Sequence, residues 1–506
     1  MTNQNEKLAR ALEALKGVEH NGVVRSSDLS QTYRGRLIKA GFLVEVLQGW
    51  LLVTHPDAPQ GSSVAWFSSF WNFVGQYLGS RFGDGYCLSA EASVKRHVQS
   101  AVIPSQVSVM AQENVRQVVP LQFDTSLNIY STATPLPPNR VKAGELWVMD
   151  LPTAICRLAE PFYRTSPEDA ELALRLIRDP SELLRVLLDG SQSVVAGRLV
   201  GAYQFLGNEP FAAQIRDTMA AAGSPVRVSN PFERAEPLLS GLTRITSPHV
   251  ARIQGLWAGM RADIIQAFAD RPPSVVRAQD YLSEVEERYA ADAYNSLSIE
   301  GYRVTPALIE RVRAGGWNPN ASEADSKEAN ALAARGYFQA FQAVKESIAK
   351  ILAGQPSAAV IEQDFRGWFR QMFSPAVALG ILQASQLAGY RNTPVYLQGS
   401  RYVPPAPEAV VDCMEAFFEL LQAEPEASVR ALLGHFIFVY IHPYSDGNGR
   451  LGRFLMNAAL ASGGYPWTVI RQEKREDYLS ALEAASTKHE IGPFAQFVRQ
   501  EMEASS

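Results

Sequence analysis

The sequence predicts a mainly α-helical protein, in which a helical bundle fills the C-terminal half and a smaller region of mixed helices and strands precedes it. Long amphipathic segments dominate the C-terminal half, with apolar residues recurring at helical spacing over 247–269 and 326–353. Shorter helical and strand patterns alternate before residue 220. Glycine, proline, serine and asparagine interrupt the helical periodicity at 223–231, which indicates a boundary between the two regions.

Length and composition limit the domain count and the class of partner. A chain of 506 residues exceeds what one hydrophobic core usually serves, so we predict domains at residues 1–60, 61–225 and 226–506. Hydrophobic residues make up 46% and charged residues 20%, as in ordinary globular proteins. The net charge of -5 excludes a strongly basic nucleic-acid coat but leaves a small local DNA-binding module open.

Cysteine usage and the N-terminus suggest a cellular location. Cys87, Cys156 and Cys413 lack disulfide or metal-ligand spacing, and their odd number suits a reducing compartment, so we interpret them as structural thiols. The first residues contain no apolar signal core, and the longest apolar run, 431–441, is too short to span a bilayer. We therefore expect a cytoplasmic protein with no membrane partner.

The first sixty residues combine three short helical patterns with one hairpin. Apolar residues recur at helical spacing over 7–16, and shorter helical stretches follow at 27–29 and 31–40. Residues 42–54 form two predicted strands about a turn at Gly49. This order is typical of a winged helix, whose third helix would carry Arg34, Arg36 and Lys39. A small helical interaction domain is the alternative, because basic residues on a helix are usually only a solvated face.

The N-terminal half as a whole also resembles a known family. Residues 7–220 are similar to the AbiE-type abortive-infection antitoxins and regulators through SSDLSQTYRGRLIKAGFLVEVLQGWLLVT, YCLSAEASVKRHVQSAVIPSQVSVMAQ and AGRLVGAYQFLG. That resemblance implies a regulatory or DNA-reading arm.

The residues that point to chemistry lie in one string, HPYSDGNGRLGR, from His442 to Arg453. It follows the apolar run ALLGHFIFVYI, which predicts a buried helix with His442 at its exposed C-terminal end. Pro443 ends that helix because it cannot donate the next backbone hydrogen bond. His435, seven residues before His442, is interpreted as a core histidine.

The glycines of this string predict an anion site. Gly447 and Gly449 bracket Asn448, so the backbone can adopt positive φ and turn successive N–H groups inward as a nest for an anion. A helix predicted to begin near Arg450 adds its N-terminal amides and dipole to the same place. The combination suits a di- or triphosphate.

The remaining residue types of the string supply the other requirements of phosphate chemistry. Asp446 is an oxygen donor that could hold Mg²⁺ together with phosphate oxygens. His442 can accept a proton near neutral pH. Arg450 and Arg453 share one helical face and offer planar, permanently charged groups to phosphate. The alternative, a loop followed by a capped helix, would explain a single Gly-Asn-Gly turn but not all of these residues together.

The complete string resembles the Fic family motif HPFxxGNGRxxR, with Tyr444 in the phenylalanine position, and the resemblance extends over about residues 230–500. It implies transfer of AMP from ATP to a hydroxyl of a target protein, with pyrophosphate leaving. By the same resemblance His442 is the base, and Asp446 holds Mg²⁺ on the α and β phosphates. The phosphates would bind the nest of Gly447, Asn448 and Gly449 with Arg450, while Arg453 would orient the γ phosphate.

A second motif resembles the inhibitory sequence [S/T]xxxE[G/N] of Fic proteins whose inhibitory helix precedes the catalytic core. Ser296 and Glu300 are four residues apart on a helix predicted near 277–301, and Gly301 would end it. The resemblance implies that Glu300 pairs with Arg453 and leaves ATP bound unproductively. A solvated glutamate near a helix end is the alternative.

One predicted hairpin interrupts the bundle near residues 394–403. By resemblance to the family we name residues 393–405, TPVYLQGSRYVPP, the flap segment, since the matching element lies over the active site and can align an extended target by main-chain pairing. Its predicted target-docking residues are Val395, Tyr396, Leu397, Gln398 and Gly399. An ordinary surface hairpin is the alternative.

Two rival functions remain open at this level. Some Fic relatives transfer phosphate or phosphocholine, although the intact GNGR favours AMP. The chain could also be a DNA-binding regulator or antitoxin whose Fic half only senses a nucleotide, as Arg34 and Arg36 suggest. The sequence leaves open the target protein, the type of modified residue and the oligomeric state, with a homodimer as one alternative.

Overall fold

The computed structural model describes residues 4–505, apart from 60, 133, 191, 240–246, 272, 275 and 316–328. The chain divides into two compact units. The first comprises Met1–Pro248 and Tyr396–Val403, and the second comprises His249–Val395 and Pro404–Ser506. The predicted division into three domains remains a prediction.

The first unit contains both helices and strands. Its helices are α1 (Gln4–Lys16), α2 (Gln31–Lys39), α3 (Val64–Phe82), α4 (Ala90–His97), α5 (Leu151–Cys156), α6 (Phe162–Thr165), α7 (Pro167–Leu176), α8 (Pro180–Asp189), α9 (Ser193–Phe205) and α10 (Glu209–Ala221). Its strands are β1 (Val23–Arg25), β2 (Leu43–Leu47), β3 (Trp50–Val53), β4 (Tyr86–Leu88), β5 (Gln106–Ala111), β6 (Arg116–Pro120), β7 (Ser126–Ser131), β8 (Arg140–Ala143) and β9 (Leu146–Met149).

The N-terminal part of this unit has the helices and hairpin expected from the sequence, together with one more strand. A 3-10 turn at Ser26–Asp28 precedes α2, and β2 and β3 pair antiparallel around Gly49, whose φ is 87°. The additional strand β1 gives a three-stranded sheet in the order β1-β3-β2. Leu15, Leu37 and Leu51 pack in a common apolar core between the helices and this sheet.

A larger core surrounds α3. The second sheet has the strand order β4-β5-β7-β6, with β5 and β7 parallel and the other pairs antiparallel, and β8 pairs separately with β9. Apolar side chains of β5, β7 and β9 pack with the aromatic residues of α3. Cys87, Cys156 and Cys413 are free and buried, and burial raises the pKa of each thiol to about 12, which agrees with structural thiols.

The second unit is helical, which confirms the mainly α fold class. Its helices are α11 (Pro248–Ala267), α12 (Ala278–Ile299), α13 (Pro306–Arg313), α14 (Ala329–Leu352), α15 (Ser357–Ala378), α16 (Val410–Ala423), α17 (Ala427–Ile441), α18 (Asn448–Ala461), α19 (Arg475–Lys488) and α20 (Gly492–Ser505). The first three residues of the helix predicted over 326–353 lie outside the described residues. Within the described ranges, every helix is too short or too polar to cross a bilayer.

Helix α17 is the centre of this unit. It is apolar along nearly its whole length, and almost all of its side chains are buried. It packs side by side with α16 and α18, so both ends of the turn from α17 to α18 are fixed by packing. The His442–Arg453 string therefore begins in a rigid part of the fold.

The hairpin predicted for the flap segment is wrong. No strands pair within residues 393–405, all of which are described, although a turn does form at Gly399, whose φ is 76°. Instead, Tyr402 pairs with Val102 of the first unit, where Ile103 N–H donates to the carbonyl oxygen of Arg401 (2.9 Å) and Val403 N–H donates to that of Ala101 (2.6 Å). The main-chain groups that a hairpin would use are bonded to a distant part of the chain.

Candidate active site

His442 occupies the C-terminal cap of α17 in a left-handed conformation, with φ 51° and ψ 58°. Its N–H still donates to the carbonyl oxygen of Phe438 (3.0 Å), and Pro443 prevents a further turn of helix. Because a side chain with Cβ disfavours this conformation, surrounding contacts must hold the residue in it.

The imidazole of His442 is arranged as a neutral base. It is half-buried, and Nδ1–H donates to the carbonyl oxygen of Val439 (3.2 Å) when the proton is on that nitrogen. The other nitrogen, Nε2, then has a free lone pair. Burial lowers the pKa of His442, and the hydrogen bond to Val439 and the negative charges of Glu300 and Asp446 only partly oppose that effect. The ring is therefore in its proton-accepting form at neutral pH.

The turn between the two helices is held by Asn448. Its Oδ1 accepts from Tyr444 N–H (2.9 Å) and its Nδ2 donates to the Tyr444 carbonyl oxygen (2.7 Å). The Tyr444 ring is buried and stacks on Phe369 with a centroid distance of 3.9 Å. The Asn448 side chain thus stabilises the turn. Of the groups of Asn448, an anion could therefore bind only to the backbone N–H.

Helix α18 begins two residues earlier than expected, at Asn448, with Gly447 as its N-cap at φ 85°. Gly449 has a helical conformation and not a positive φ, so the backbone conformation does not explain why glycine is needed at this position. A Cβ there would lie 2.3 Å from Oε1 of Glu300. Among the described residues no side chain caps this helix, which leaves its first N–H groups available.

Arg450 and Asp446 interact with each other. Arg450 is 1% exposed, lies over the rings of Tyr302 and Phe373 (5.2 and 5.3 Å to the centroids) and donates from Nη2 to Oδ1 of Asp446 (3.0 Å). Gly447 N–H donates to the same oxygen. These two hydrogen bonds orient the carboxylate of Asp446. The side chain is 60% exposed, so solvent and ligands can reach the carboxylate from the side that faces away from the protein.

Asp446 could hold a metal ion only with help from a ligand. Across the described residues no group of three or more histidine, cysteine, aspartate or glutamate side chains could bind a metal. A single oriented carboxylate nevertheless fits Mg²⁺, which keeps several waters and commonly binds one or two carboxylates together with substrate phosphates. The donor set therefore suits a magnesium–nucleotide complex rather than a resident metal.

Arg453 pairs with the predicted inhibitory motif. Its Nε donates to Ser296 Oγ (2.8 Å), and its Nη2 donates to Glu300 Oε1 (2.7 Å) and to the Ser296 carbonyl oxygen (3.0 Å). The guanidinium is thus divided between two residues, and only Nη2 bonds to Glu300. Burial alone would raise the pKa of Glu300, but the charges of Arg453 and Arg450 outweigh burial and lower it. Glu300 is accordingly ionised at neutral pH.

One donor of Arg453 remains available. Nη1 is buried and has no hydrogen-bond partner among the described residues. It lies beside Gly449, 3.2 Å from where a Cβ would be. A buried donor without a partner is costly, and a phosphate oxygen at the start of α18 would satisfy it.

Two features of this network were missed in the sequence. Asp292 is buried on α12, one turn before Ser296, and its Oδ2 accepts from the Tyr337 hydroxyl (2.6 Å). Arg475 donates from Nε to the carbonyl oxygen of Ile299 (2.8 Å) and so holds the end of α12. The four-residue spacing of Asp292, Ser296 and Glu300 was a visible signal for the first feature.

A cavity of about 430 Å³ adjoins the turn. Tyr390, Tyr444, Phe369 and Phe373 provide aromatic walls, and Asp446 lies at its edge. The predicted docking residues Val395–Gly399 are not among the residues that line it; Val395 belongs to the second unit and Tyr396–Val403 to the first. There the Gln398 Oε1 accepts from Ser62 Oγ (2.9 Å), and Gly399 N–H donates to Ser63 Oγ (2.8 Å).

This geometry agrees with what comparison with known proteins shows. Residues 366–460 match the model of the Fic/DOC family. The chain carries a Fic domain. The match includes the turn with His442 and Asp446 and the start of α18, whereas the Ser296–Glu300 motif lies outside it.

Curated relatives are similar to the Fic domain region. Protein adenylyltransferase Fic from Nematostella vectensis is 43% identical over 124 residues, which are 24% of this chain and 28% of that protein. The protein of the same name from Drosophila grimshawi is 36% identical over 124 residues, 24% of this chain and 25% of its own length. The chain therefore spans only about a quarter of the length of these relatives.

Solved structures of Fic proteins are also similar to this chain. Fic-1 (aa134–508) from C. elegans superposes with a TM-score of 0.37 at 18% identity, over 69% of this chain and 94% of that one. A Fic domain containing signaling protein from Bacteroides thetaiotaomicron gives a TM-score of 0.33 at 19% identity, over 51% of this chain and 94% of that one.

Proposed function

We propose that this protein is an adenylyltransferase that transfers AMP from ATP to a hydroxyl side chain of a target protein. The observation that carries the proposal is the combination of a neutral imidazole at the end of α17 with an uncapped helix N-terminus at α18. The names of the curated relatives support the same reaction.

The phosphates would bind at the start of α18. The backbone N–H groups after Gly447 and the positive end of the helix dipole favour an anion there. Arg453 Nη1 would donate to the γ phosphate. Arg450 would act through Asp446, since its guanidinium is buried beneath the turn and bonded to that carboxylate.

Mg²⁺, when bound with ATP, would neutralise charge on the phosphates. Asp446 would hold it through the accessible side of its carboxylate. The Nε2 lone pair of His442 would accept the proton of the target hydroxyl while that oxygen bonds to the α phosphorus. The bond from the α phosphorus to the pyrophosphate oxygen then breaks, so AMP stays on the target and pyrophosphate leaves.

We also propose that Glu300 inhibits this reaction. Its carboxylate contacts the backbone of Gly449 and pairs with Arg453, so it lies where a γ phosphate would bind. The negative charge of Glu300 pairs with the same guanidinium and lies at the same end of the helix dipole that a phosphate needs. ATP bound beside it would be displaced from the arrangement in which His442 and the α phosphorus meet.

Target docking by the flap segment also remains a proposal. One main-chain edge of that segment is bonded to Ala101 and Ile103, so an extended target would have to use other groups of Val395–Gly399 or replace that pairing.

The deciding experiment is label transfer from α-labelled ATP with the His442→Ala variant. Transfer should fall by at least about 100-fold because the general base is lost, while ATP binding stays because the phosphate groups are untouched. His55→Ala, at a side chain that is 76% exposed in the first unit, is the matched control and should transfer like the parent. Undiminished transfer by His442→Ala would refute the assignment of the base.

DNA binding is the second candidate function. The helices before the hairpin of β2 and β3 support this proposal, because the winged-helix prediction rests on that order of helices and hairpin. The basic residues support it less, because Arg34 and Arg36 donate to the carbonyl oxygens of Ser26 and Lys7. A gel shift on the protein's own promoter tests DNA binding, and absence of a shift at low salt would exclude this function.

A cytoplasmic location and a homodimer remain part of the proposal.

A further inference from the structure

Arg391 makes an unusual set of contacts next to His442. It lies between α15 and α16, outside the predicted site residues, and is 5% exposed. Its backbone N–H donates to the carbonyl oxygen of Pro443 (2.8 Å), its Nε to that of His442 (2.8 Å) and its Nη2 to that of Ile441 (3.4 Å). One residue therefore binds three consecutive carbonyl oxygens around the proposed base.

These contacts explain how His442 keeps its left-handed conformation. The last carbonyl groups of a helix lack partners within it and carry partial negative charge, so a cation at that end is favourable. Arg391 supplies both the hydrogen bonds and the charge at the end of α17. The direction of the imidazole depends on this main-chain conformation, because the φ and ψ of His442 orient its Cβ.

The same guanidinium reaches both ends of the flap segment. Nη1 donates to the carbonyl oxygen of Thr393 (3.0 Å) and Nη2 to that of Pro405 (2.5 Å). The chain enters and leaves the flap segment at these two residues. Arg391 thus connects the backbone of the base to both ends of the segment that we propose docks the target.

We propose that Arg391 is the positioning residue of His442, which fixes the base relative to the ends of the flap segment. The inference rests on the proposed function, since it concerns the same base. It assigns no direct contact of Arg391 with substrate. Its effect is on geometry, where a misplacement of about 1 Å can lower a rate about 100-fold.

The charge of Arg391 gives this role a readout that packing alone would not have. The charged groups around the His442 ring are Arg391, Glu300 from α12 and Asp446 from the following turn. Burial is the largest cause of the lowered pKa of His442; Arg391 lowers it further, while Glu300 and Asp446 raise it. Removal of the Arg391 charge should therefore make the imidazole easier to protonate.

The experiment compares Arg391→Gln and Arg391→Lys in the full-length Glu300→Gly protein, with Arg370→Gln on an exposed part of α15 as the matched control. Arg391→Gln should lower kcat for AMP transfer about 10- to 100-fold, change KM for ATP by less than about threefold and move the acidic limb of the pH–rate profile to higher pH. Arg391→Lys keeps the charge but cannot reach all the carbonyl groups, so kcat should fall while the acidic limb stays.

Transfer by Arg391→Gln at the parent's kcat, or an acidic limb that does not move, would overturn the proposal. Equal loss of kcat and ATP binding in both variants would also overturn it, since that pattern means general unfolding. If the Glu300→Gly parent transfers no AMP, the proposed function fails, and Arg391 is judged by NMR titration of His442 in the labelled protein. A higher pKa in Arg391→Gln than in the parent then supports the positioning role, and an equal pKa refutes it.

Discussion

At the scale of single residues, the contacts of Glu300 with Gly449 and Arg453 are the basis of its proposed inhibitory role. Its carboxylate contacts the backbone at Gly449 and accepts from Arg453 Nη2, and its side chain is 28% exposed. A γ phosphate would need the same guanidinium and the same helix end. This overlap between the carboxylate and a phosphate is the basis of the proposed inhibition by Glu300.

Glu300→Gly should raise self-labelling from α-labelled ATP by about 10- to 100-fold, because loss of a charge-assisted hydrogen bond of about 1.5–3 kcal/mol frees Arg453. Quantification of labelled protein against time measures the effect. Glu300→Gln is the matched control: it keeps the shape, removes the charge and should give an intermediate rate. If Glu300→Gly labels itself no faster than the parent, the inhibitory role is wrong.

The types of residue in the candidate site could be predicted from the sequence, but the contacts that each side chain makes could not. The Asn448 side chain is hydrogen-bonded to the backbone of Tyr444 and is therefore not available to a phosphate. Arg450 is buried against Tyr302 and Phe373. Tyr302 and Phe373 are distant in sequence from Arg450, so no local spacing could reveal that this arginine lies beneath the turn. The pairing of Glu300 with Arg453, in contrast, was implied by the resemblance of both motifs to those of Fic proteins, and the two side chains are hydrogen-bonded in the structure.

At the scale of one helix, α12 presents a polar row to the site. Asp292, Ser296 and Glu300 recur every four residues, and all three are connected to Arg453 or its neighbours through hydrogen bonds or charge. Burial raises the pKa of Asp292 from 3.8 to about 6, although its bond from Tyr337 opposes that effect. Ionisation of Asp292 is therefore less favourable in the folded protein than in the unfolded chain.

The raised pKa of Asp292 predicts a pH-dependent stability. The folded state holds this proton between about pH 4 and 6 when the unfolded state has lost it, so Asp292 costs stability as pH rises through that window, by at most about 3 kcal/mol. Asp292→Asn should therefore melt at higher temperature than the parent at pH 8 and lose this advantage below pH 4. Melting curves at both pH values test it; an advantage that is equal at both would contradict it.

The flap segment shows where local pattern fails. Its alternating residues and the glycine turn are typical of a hairpin, but the partner of Tyr402 is Val102, about 300 residues earlier. Strand pairing depends on which unpaired strand edge lies nearby in the folded protein. The thirteen residues of the flap segment do not contain that information. Helices α12, α14 and α17 were predictable because their hydrogen bonds and apolar faces are local.

Ser63→Ala should loosen the turn of the flap segment. It removes the acceptor of the Gly399 N–H, a bond of about 1 kcal/mol, so hydrogen exchange at that amide should rise about fivefold. Exchange followed by NMR or mass spectrometry measures this. Ser68→Ala on α3, the helix that begins directly after Ser63, is the control, because among the described residues its hydroxyl bonds only to Ala65. Unchanged exchange at Gly399 would show that the bond does not hold the turn.

At the scale of the whole molecule, the helical class of the second unit was predictable from the sequence because it depends on periodicity, and the site was proposed from one compact motif. The first unit was less predictable. Its parallel pairing of β5 with β7 joins two strands that β6 separates in the sequence, so no local pattern predicts it. The family match covers residues 366–460, so the first unit and the inhibitory motif must be tested on this chain itself.

The assignment of Tyr396–Val403 to the first unit has a practical consequence for deletion studies. A chain shortened to begin at His249 would lose Ser62, Ser63, Ala101 and Ile103, and with them the hydrogen-bond partners of that stretch. Tyr402, now 1% exposed, would meet water, and its neighbouring amides would be left to pair with solvent or with another molecule. Such a deletion would remove most of the first unit and also change the conformation of Tyr396–Val403, so the activity of the shortened chain would report the sum of both changes.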